Sequence, residues 1–215
     1  QQRDLRVGVV GLGYAGLPLA MAFAEAGFEV TGIDLNEDRV RNVRDGRSYL
    51  VDVPSERYDD AEGRLTATAD FAAVAELDAL TICVPTPLSK TRSPDLQYIL
   101  SAAASVAENL RPGQLVILQS TTYPGTTVDV VLPILAETGR QVGLDFFLGY
   151  APERVDPGNP TWGLRNTPKL VAGVTEECRR RTELLYSTVV DAIVPVSSPA
   201  VAETAKLHEN TFRAV

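Results

Sequence analysis

The sequence predicts an α/β fold, a doubly wound parallel sheet followed by the start of a long interdomain helix. Three observations carry that expectation. Short β-branched runs alternate with longer amphipathic stretches, a glycine-rich turn joins the first run to the first amphipathic stretch, and an acid closes the second run. Parallel strands need crossover connections, and right-handed crossovers leave few topologies. The strand order 3-2-1-4-5-6 is the commonest that fits.

Taken in order, the predicted strands are LRVGVV at 5–10, FEVTGID at 28–34, ALTICV at 79–84, QLVILQ at 114–119, DFFLGYA at 145–151 and a weaker DAIVPV at 191–196. The predicted helices between them cover 14–26, 36–45, 70–77, 95–110, 126–138 and 176–188. Two Pro-, Gly- and Asp-rich stretches, 48–68 and 151–170, break the alternation and are expected to be long connections. The second leaves a strand end, where open α/β sheets bind ligands. Ser198 reads as an N-cap and Pro199 as the first helical residue of a last helix. On it, Val201, Ala205, His208, Phe212 and Val215 form one stripe, and Glu203, Lys206, Asn210 and Arg213 another. No Gly or Pro closes this helix, so the native helix is expected to run on past Val215. The division expected is an α/β domain over 1–197 and the beginning of a further helix over 198–215. The lack of an initiating Met points the same way, to numbering that begins inside a longer chain or after a removed tag.

Composition narrows the function. Hydrophobic residues make up 45% of 215, ordinary for a packed globular core. A net charge of -8 argues against a broad polyanion-binding face, so nucleic acid is not an expected partner and anion binding has to be local. The two cysteines, Cys83 and Cys178, have no metal-ligand spacing and suit a reducing compartment; no metal is expected. A single histidine, His208, shifts acid–base work to carboxylates, Lys, Tyr or a bound water. No apolar run approaches the roughly 20 residues that span a bilayer, so a soluble cytoplasmic protein is expected.

The stretch VGVVGLGYAGLPLA places Gly11, Gly13 and Gly16 in a GxGxxG between strand and helix. Gly11 permits the tight turn, Gly13 lets backbone approach a pyrophosphate, and Gly16 allows close helix–strand packing. Tyr14 and Ala15 lie between the last two glycines, where the helix N-terminus faces the phosphates. Asp34 ends the next strand about 20 residues on, as ribose recognition requires in this Rossmann arrangement. A carboxylate there accepts from the 2′ and 3′ hydroxyls and repels a 2′-phosphate, which favours NAD over NADP. Arg39 falls beside the adenosine ribose. The competing reading has the glycines merely packing and Asp34 capping the following helix.

Five motifs in order then carry a resemblance: GLGYAGLPLA, ICVPTPL at 82–88, QSTTYPGTT at 119–127, YAPERVDPGN at 150–159 and AETAKLHENTF at 202–212. Together they resemble the UDP-glucose/GDP-mannose dehydrogenase family of nucleotide-sugar 6-dehydrogenases, across the N-terminal domain and the start of its central helix. The PERxDPG form is more similar to the branch acting on UDP-N-acetylhexosamines such as UDP-N-acetylglucosamine.

What the resemblance implies is an NAD-dependent oxidation of the sugar's C6 primary alcohol, through an aldehyde, to a uronic acid. The family's second step uses a cysteine thioester from a C-terminal domain, in a GGxC-type motif that this chain lacks, so the chain alone is expected to be inactive. By resemblance, Pro85 and Thr86 line the cofactor, with a rigid Pro-bounded turn as the alternative. Ser120 and Thr121 hold the nicotinamide ribose or a water, or else cap a helix. Glu153 acts with a water in general-base or hydrolytic steps, or else pairs with Arg154. Arg154 and Asp156 border substrate or cofactor. Lys206 stabilises the oxyanion at C6 and Asn210 holds that oxygen or its water, against a plain Glu203–Lys206 surface pair. His208 is expected to pack or be solvated. The expected partners are a UDP-sugar and, for the parent enzyme, a second copy through the central helix. A β-hydroxyacid-type NAD dehydrogenase and a non-catalytic dinucleotide-sensing module remain alternatives.

Overall fold

The computed structural model describes residues 3–51, 53–87, 94–137, 139–154 and 161–213. One eight-stranded sheet runs through it in the order β3-β2-β1-β4-β5-β6-β7-β8. The strands are β1 Arg3–Val10, β2 Phe28–Ile33, β3 Leu65–Thr68, β4 Ala79–Ile82, β5 Leu115–Leu118, β6 Phe147–Tyr150, β7 Lys169–Gly173 and β8 Ile193–Pro195. The helices are α1 Gly16–Glu25, α2 Glu37–Arg44, α3 Arg57–Asp60, α4 Gln97–Asn109, α5 Leu132–Ala136, α6 Glu176–Tyr186 and α7 Pro199–Arg213.

The central strands are buried on both faces, as crossover-covered parallel strands must be. Along β5, Leu115 and Ile117 enter the core under α1 and α6, while Val116 and Leu118 enter the core under α4 and α5. Strand alternation thus splits one apolar run between two cores.

Three expectations need correction. Leu65–Thr68 was expected inside a long connection but forms β3, pairing in parallel with β2 at the sheet edge. It is four residues long and half polar, too weak a pattern to register alone. The third predicted strand, around Ala79–Ile82, therefore stands on the other side of β1 as β4. The second concerns β7, Lys169–Gly173, which was not expected as a strand and whose start falls in the second long connection: it pairs with β6 antiparallel, in a sheet that is otherwise parallel. The described residues between them include no helix, and only a crossover returns a chain parallel. Strands β7 and β8 resume parallel pairing around α6. Third, the predicted helix at 70–77 is a 3₁₀ turn, Phe71–Glu76, and that at 126–138 opens as a π turn, Thr126–Val131, before α5.

Helix α7 begins as expected, with the Ser198 hydroxyl accepting from the Val201 N–H at 3.4 Å. Its two stripes do not divide into an apolar buried face and a polar exposed one. Ala202, Glu203 and Lys206 are buried, whereas Val201 and Phe212 of the apolar stripe are 45% and 80% exposed. His208 is exposed, and Val215 lies outside the described residues. No described helix is long and apolar enough to cross a membrane.

Candidate functional site: a dinucleotide crevice

A crevice of about 550 Å³ opens at the C-terminal ends of β1, β2, β4 and β5. Its walls separate the three glycines by role. Gly11 has φ +91°, and a Cβ there would meet the Cys83 carbonyl oxygen at 2.8 Å. A Cβ at Gly16 would stand 1.7 Å from the Gly11 oxygen. These two glycines are required by the fold itself. Gly13 has no protein atom within 4 Å of the Cβ position, yet it lines the crevice. Its bareness leaves room for a ligand. Above it, α1 starts at Gly16 without a side-chain cap and with no acid in its first turn, so nothing there competes with an anion. Tyr14, 75% exposed, and Ala15 complete that wall.

Asp34 is buried at the next corner, and its carboxylate organises the loop. Oδ2 accepts from the Leu12 N–H at 2.7 Å and from Arg39 at 3.1 Å, and Oδ1 accepts from the Asn36 N–H at 2.8 Å. A carboxylate offers about four lone-pair sites. Asp34 therefore keeps one acceptor site on Oδ1 for a ribose hydroxyl, and Arg39 is ion-paired with its Oδ2. Asp34 does not cap α2; Asn36 does, accepting from the Asp38 and Arg39 N–H groups. Tyr49, which no local pattern singled out, donates to the Leu12 carbonyl at 2.6 Å. Burial pushes its phenol up, further from ionisation.

At the other end the strand-end loops are tied together. The Thr86 hydroxyl donates to the Thr121 carbonyl at 2.7 Å, and the Ser120 hydroxyl donates to the Val84 carbonyl at 2.7 Å. Neither Ser120 nor Thr121 caps a helix, since the turn that follows starts at Gly125. Pro85, Thr86, Ser120 and Thr121 all line the crevice, as does Glu153.

Glu153 is held from three sides: by Lys169 Nζ at 3.0 Å, by Gln119 Nε2 at 3.2 Å and by the Arg154 N–H at 2.8 Å. The alternative reading, a side-chain pair with Arg154, does not form. The Arg154 guanidinium turns instead to Glu209, at 3.2 Å, and Glu209 lies 3.7 Å from Lys206 Nζ. A chain of charges thus links the loop after β6 to α7. Lys206 is 6% exposed, and Asn210 lies one turn further along α7, exposed. The alternative reading, a Glu203–Lys206 surface pair, is absent. Glu203 is fully buried, its carboxylate accepting from Gly125 N–H, Thr127 N–H and the Thr127 hydroxyl at 2.6, 2.9 and 2.6 Å. Asp156 lies outside the described residues.

Residues 5–190 match the model of the UDP-glucose/GDP-mannose dehydrogenase family, NAD binding domain. The chain belongs to this family. It is 36% identical over 213 residues to the UDP-N-acetyl-D-glucosamine 6-dehydrogenase of Pseudomonas aeruginosa, covering 98% of this chain and 50% of that protein. It is also 36% identical to the UDP-N-acetyl-D-mannosamine dehydrogenase of Pyrococcus horikoshii, covering 98% and 51%. The Pyrococcus horikoshii UDP-N-acetylmannosamine dehydrogenase structure superposes with a TM-score of 0.91 at 36% identity, over 97% of this chain and 50% of that one. A ternary complex of the Pseudomonas aeruginosa GDP-mannose dehydrogenase gives 0.90 at 29% identity, over 98% and 50%. The chain spans about half the length of the curated relatives it matches.

As the NAD-binding domain of this dehydrogenase family, the chain meets NAD with a consistent set of groups. The bare Gly13, the N-cap Ala15 of the uncapped α1, and Asp34 all line the one crevice. Lys169, Gln119 and Glu209 were not singled out by any sequence pattern, and Glu203 was read only as a surface partner for Lys206. Lys169 offered one signal, a cation opening the apolar run KLVAG.

Proposed function

We propose that the chain is the cofactor-holding half of a UDP-N-acetylhexosamine 6-dehydrogenase. The balanced reaction is R–CH2OH + 2 NAD+ + H2O → R–COO− + 2 NADH + 3 H+, with R the UDP-linked sugar. One observation carries this reading: the crevice is continuous from Asp34, at the ribose end, to Glu153, at the chemical end. The names of the relatives supply the substrate class, and their shared half-length coverage supports a longer parent enzyme.

NAD, when bound, accepts the hydride from C6. The chain's own groups do the rest. Gly11, Gly13, Tyr14, Ala15 and Gly16 receive the diphosphate, Asp34 and Arg39 the adenosine ribose, and Pro85, Thr86, Ser120 and Thr121 the nicotinamide side. Glu153, with Thr121, orients the water that hydrolyses the thioester left by the second oxidation, releasing the carboxylate and the thiol, and takes that water's proton. Lys206 and Asn210 stabilise the negative oxygen at C6, and Arg154 borders the sugar. Residues 198–215 begin a connecting helix, whose exposed Val201 and Phe212 supply the contact for a second copy of the parent enzyme. Cys83 and Cys178 are free and buried, which supports a cytoplasmic enzyme whose nucleophile comes from another domain.

The test is stoichiometry. The full-length enzyme, given NAD and UDP-N-acetylglucosamine or its manno epimer, should release two NADH per sugar, and the 215-residue chain alone should sustain none. One NADH per substrate would support single-step alcohol oxidation instead.

A further inference from the structure

Beneath Glu153 lies a cation that the proposed chemistry does not use. Lys169 opens β7, and its side chain is 3% exposed. Lysine is almost never this buried unless paired, because its charge loses water without recompense. Its Nζ stands 3.0 Å from Glu153 Oε2, 3.2 Å from Gln119 Oε1 and 5.0 Å from the centroid of the Tyr186 ring. Among the described residues its ion-pair partner is Glu153, whose own side chain is 18% exposed and reaches the crevice.

The amide of Gln119 has its orientation imposed by this arrangement. Its Oε1 accepts from both Lys169 Nζ and the Tyr186 hydroxyl, so its Nε2 must face Glu153, where it donates to Oε2 at 3.2 Å. Both donors act on the same carboxylate oxygen from the core side, while Oε1 takes the Arg154 N–H at 2.8 Å. A carboxylate on a loop is normally free to swing. This one is fastened to a strand (Lys169), a strand end (Gln119) and, through Gln119, a helix (Tyr186).

We infer that Lys169 is a positioning residue for Glu153: with Gln119 and Tyr186 it forms a buried frame that sets the direction in which the carboxylate meets the reacting C6 group and its water. The inference rests on the proposed role of Glu153. A pair serving only stability would bring the two charges together equally well, but its loss would not act through Glu153.

A double-mutant cycle in the full-length enzyme separates these cases, using Lys169→Met, Glu153→Gln and the double variant, with NADH release from UDP-N-acetylglucosamine as the rate. Lys169→Met should lower kcat roughly 10- to 100-fold, the cost of a misplaced reacting group. NAD affinity, measured by calorimetry, should stay within about twofold, because Lys169 lies away from the Asp34 end. In the Glu153→Gln background the same substitution should change the residual kcat by less than about twofold. If Lys169→Met does not fold, Lys169→Arg, which keeps the charge but moves its donor, goes through the same cycle. Equal losses in both backgrounds, or an unchanged kcat, would overturn the inference while leaving Glu153 in its role. An unimpaired Glu153→Gln would instead overturn the role of Glu153, and the inference with it.

Discussion

Replacing Glu203 by Gln tests how α7 is fastened to the sheet. The carboxylate accepts three hydrogen bonds with no solvent exposure: two at Oε1 from Thr127 and one at Oε2 from the Gly125 N–H at 2.6 Å. A glutamine keeps the shape and one acceptor. Its oxygen can serve Thr127, but its NH2 then opposes the Gly125 N–H, donor against donor. One charge-assisted bond is lost, about 1.5–3 kcal/mol, and the two survivors weaken to neutral strength. We expect a net cost of about 3 kcal/mol, which at this chain length corresponds to a fall in Tm of roughly 6–12 °C. Thermal unfolding followed by circular dichroism measures it. Thr204→Ala, on the exposed face of the same helix, is the control and should stay within about 0.5 kcal/mol of wild type. A Glu203→Gln variant that melts with the wild type would refute the claim that this carboxylate holds the helix.

Gly13→Ala should leave the melting temperature within about 2 °C yet weaken NAD binding at least about tenfold by calorimetry, because its methyl would project into the crevice alone; Gly16→Ala should unfold the protein, because its methyl would strike the Gly11 carbonyl. Burial pushes the Asp78 carboxyl up, but the Arg6 N–H at 2.9 Å and the Arg111 guanidinium at 2.8 Å outweigh it and hold the group below the usual carboxylate range. Its contribution to stability is therefore complete above its unfolded value near 4 and is lost as pH falls through the lower folded value. Denaturant melts should show Asp78→Asn less stable than wild type by about 1 kcal/mol at pH 7, with the gap closing below about pH 4. Burial also pushes the Cys83 thiol up, although it borders the crevice, and Cys178 is fully buried. Iodoacetamide at pH 8 should label neither in the native protein and both in urea, and rapid native labelling would contradict the packing.

The glycine turn shows what was legible from residues alone. A φ of +91° at Gly11, a 1.7 Å approach at Gly16 and an acid at the end of the next strand are consequences of one strand–turn–helix unit, so their signature is compact in sequence. The central strands were legible for a similar reason: a strand buried on both faces is a continuous apolar run wherever it sits. Strand β3 was not, because a short edge strand carries little pattern of its own and is recruited by its neighbour.

The partners of the charged groups were beyond sequence altogether. Lys169 meets a glutamine 50 positions away, Glu203 meets an amide 78 positions away, and Arg154 finds Glu209 rather than its neighbour Glu153. The sequence by itself determined the central strands, their first crossover and the nucleotide they suit, because those depend on backbone conformation and periodic burial within a few tens of residues. Only the tertiary structure decided which face of the last helix turns inward and which cation stands behind Glu153, because a buried charge takes whichever partner the packed elements bring within about 3 Å.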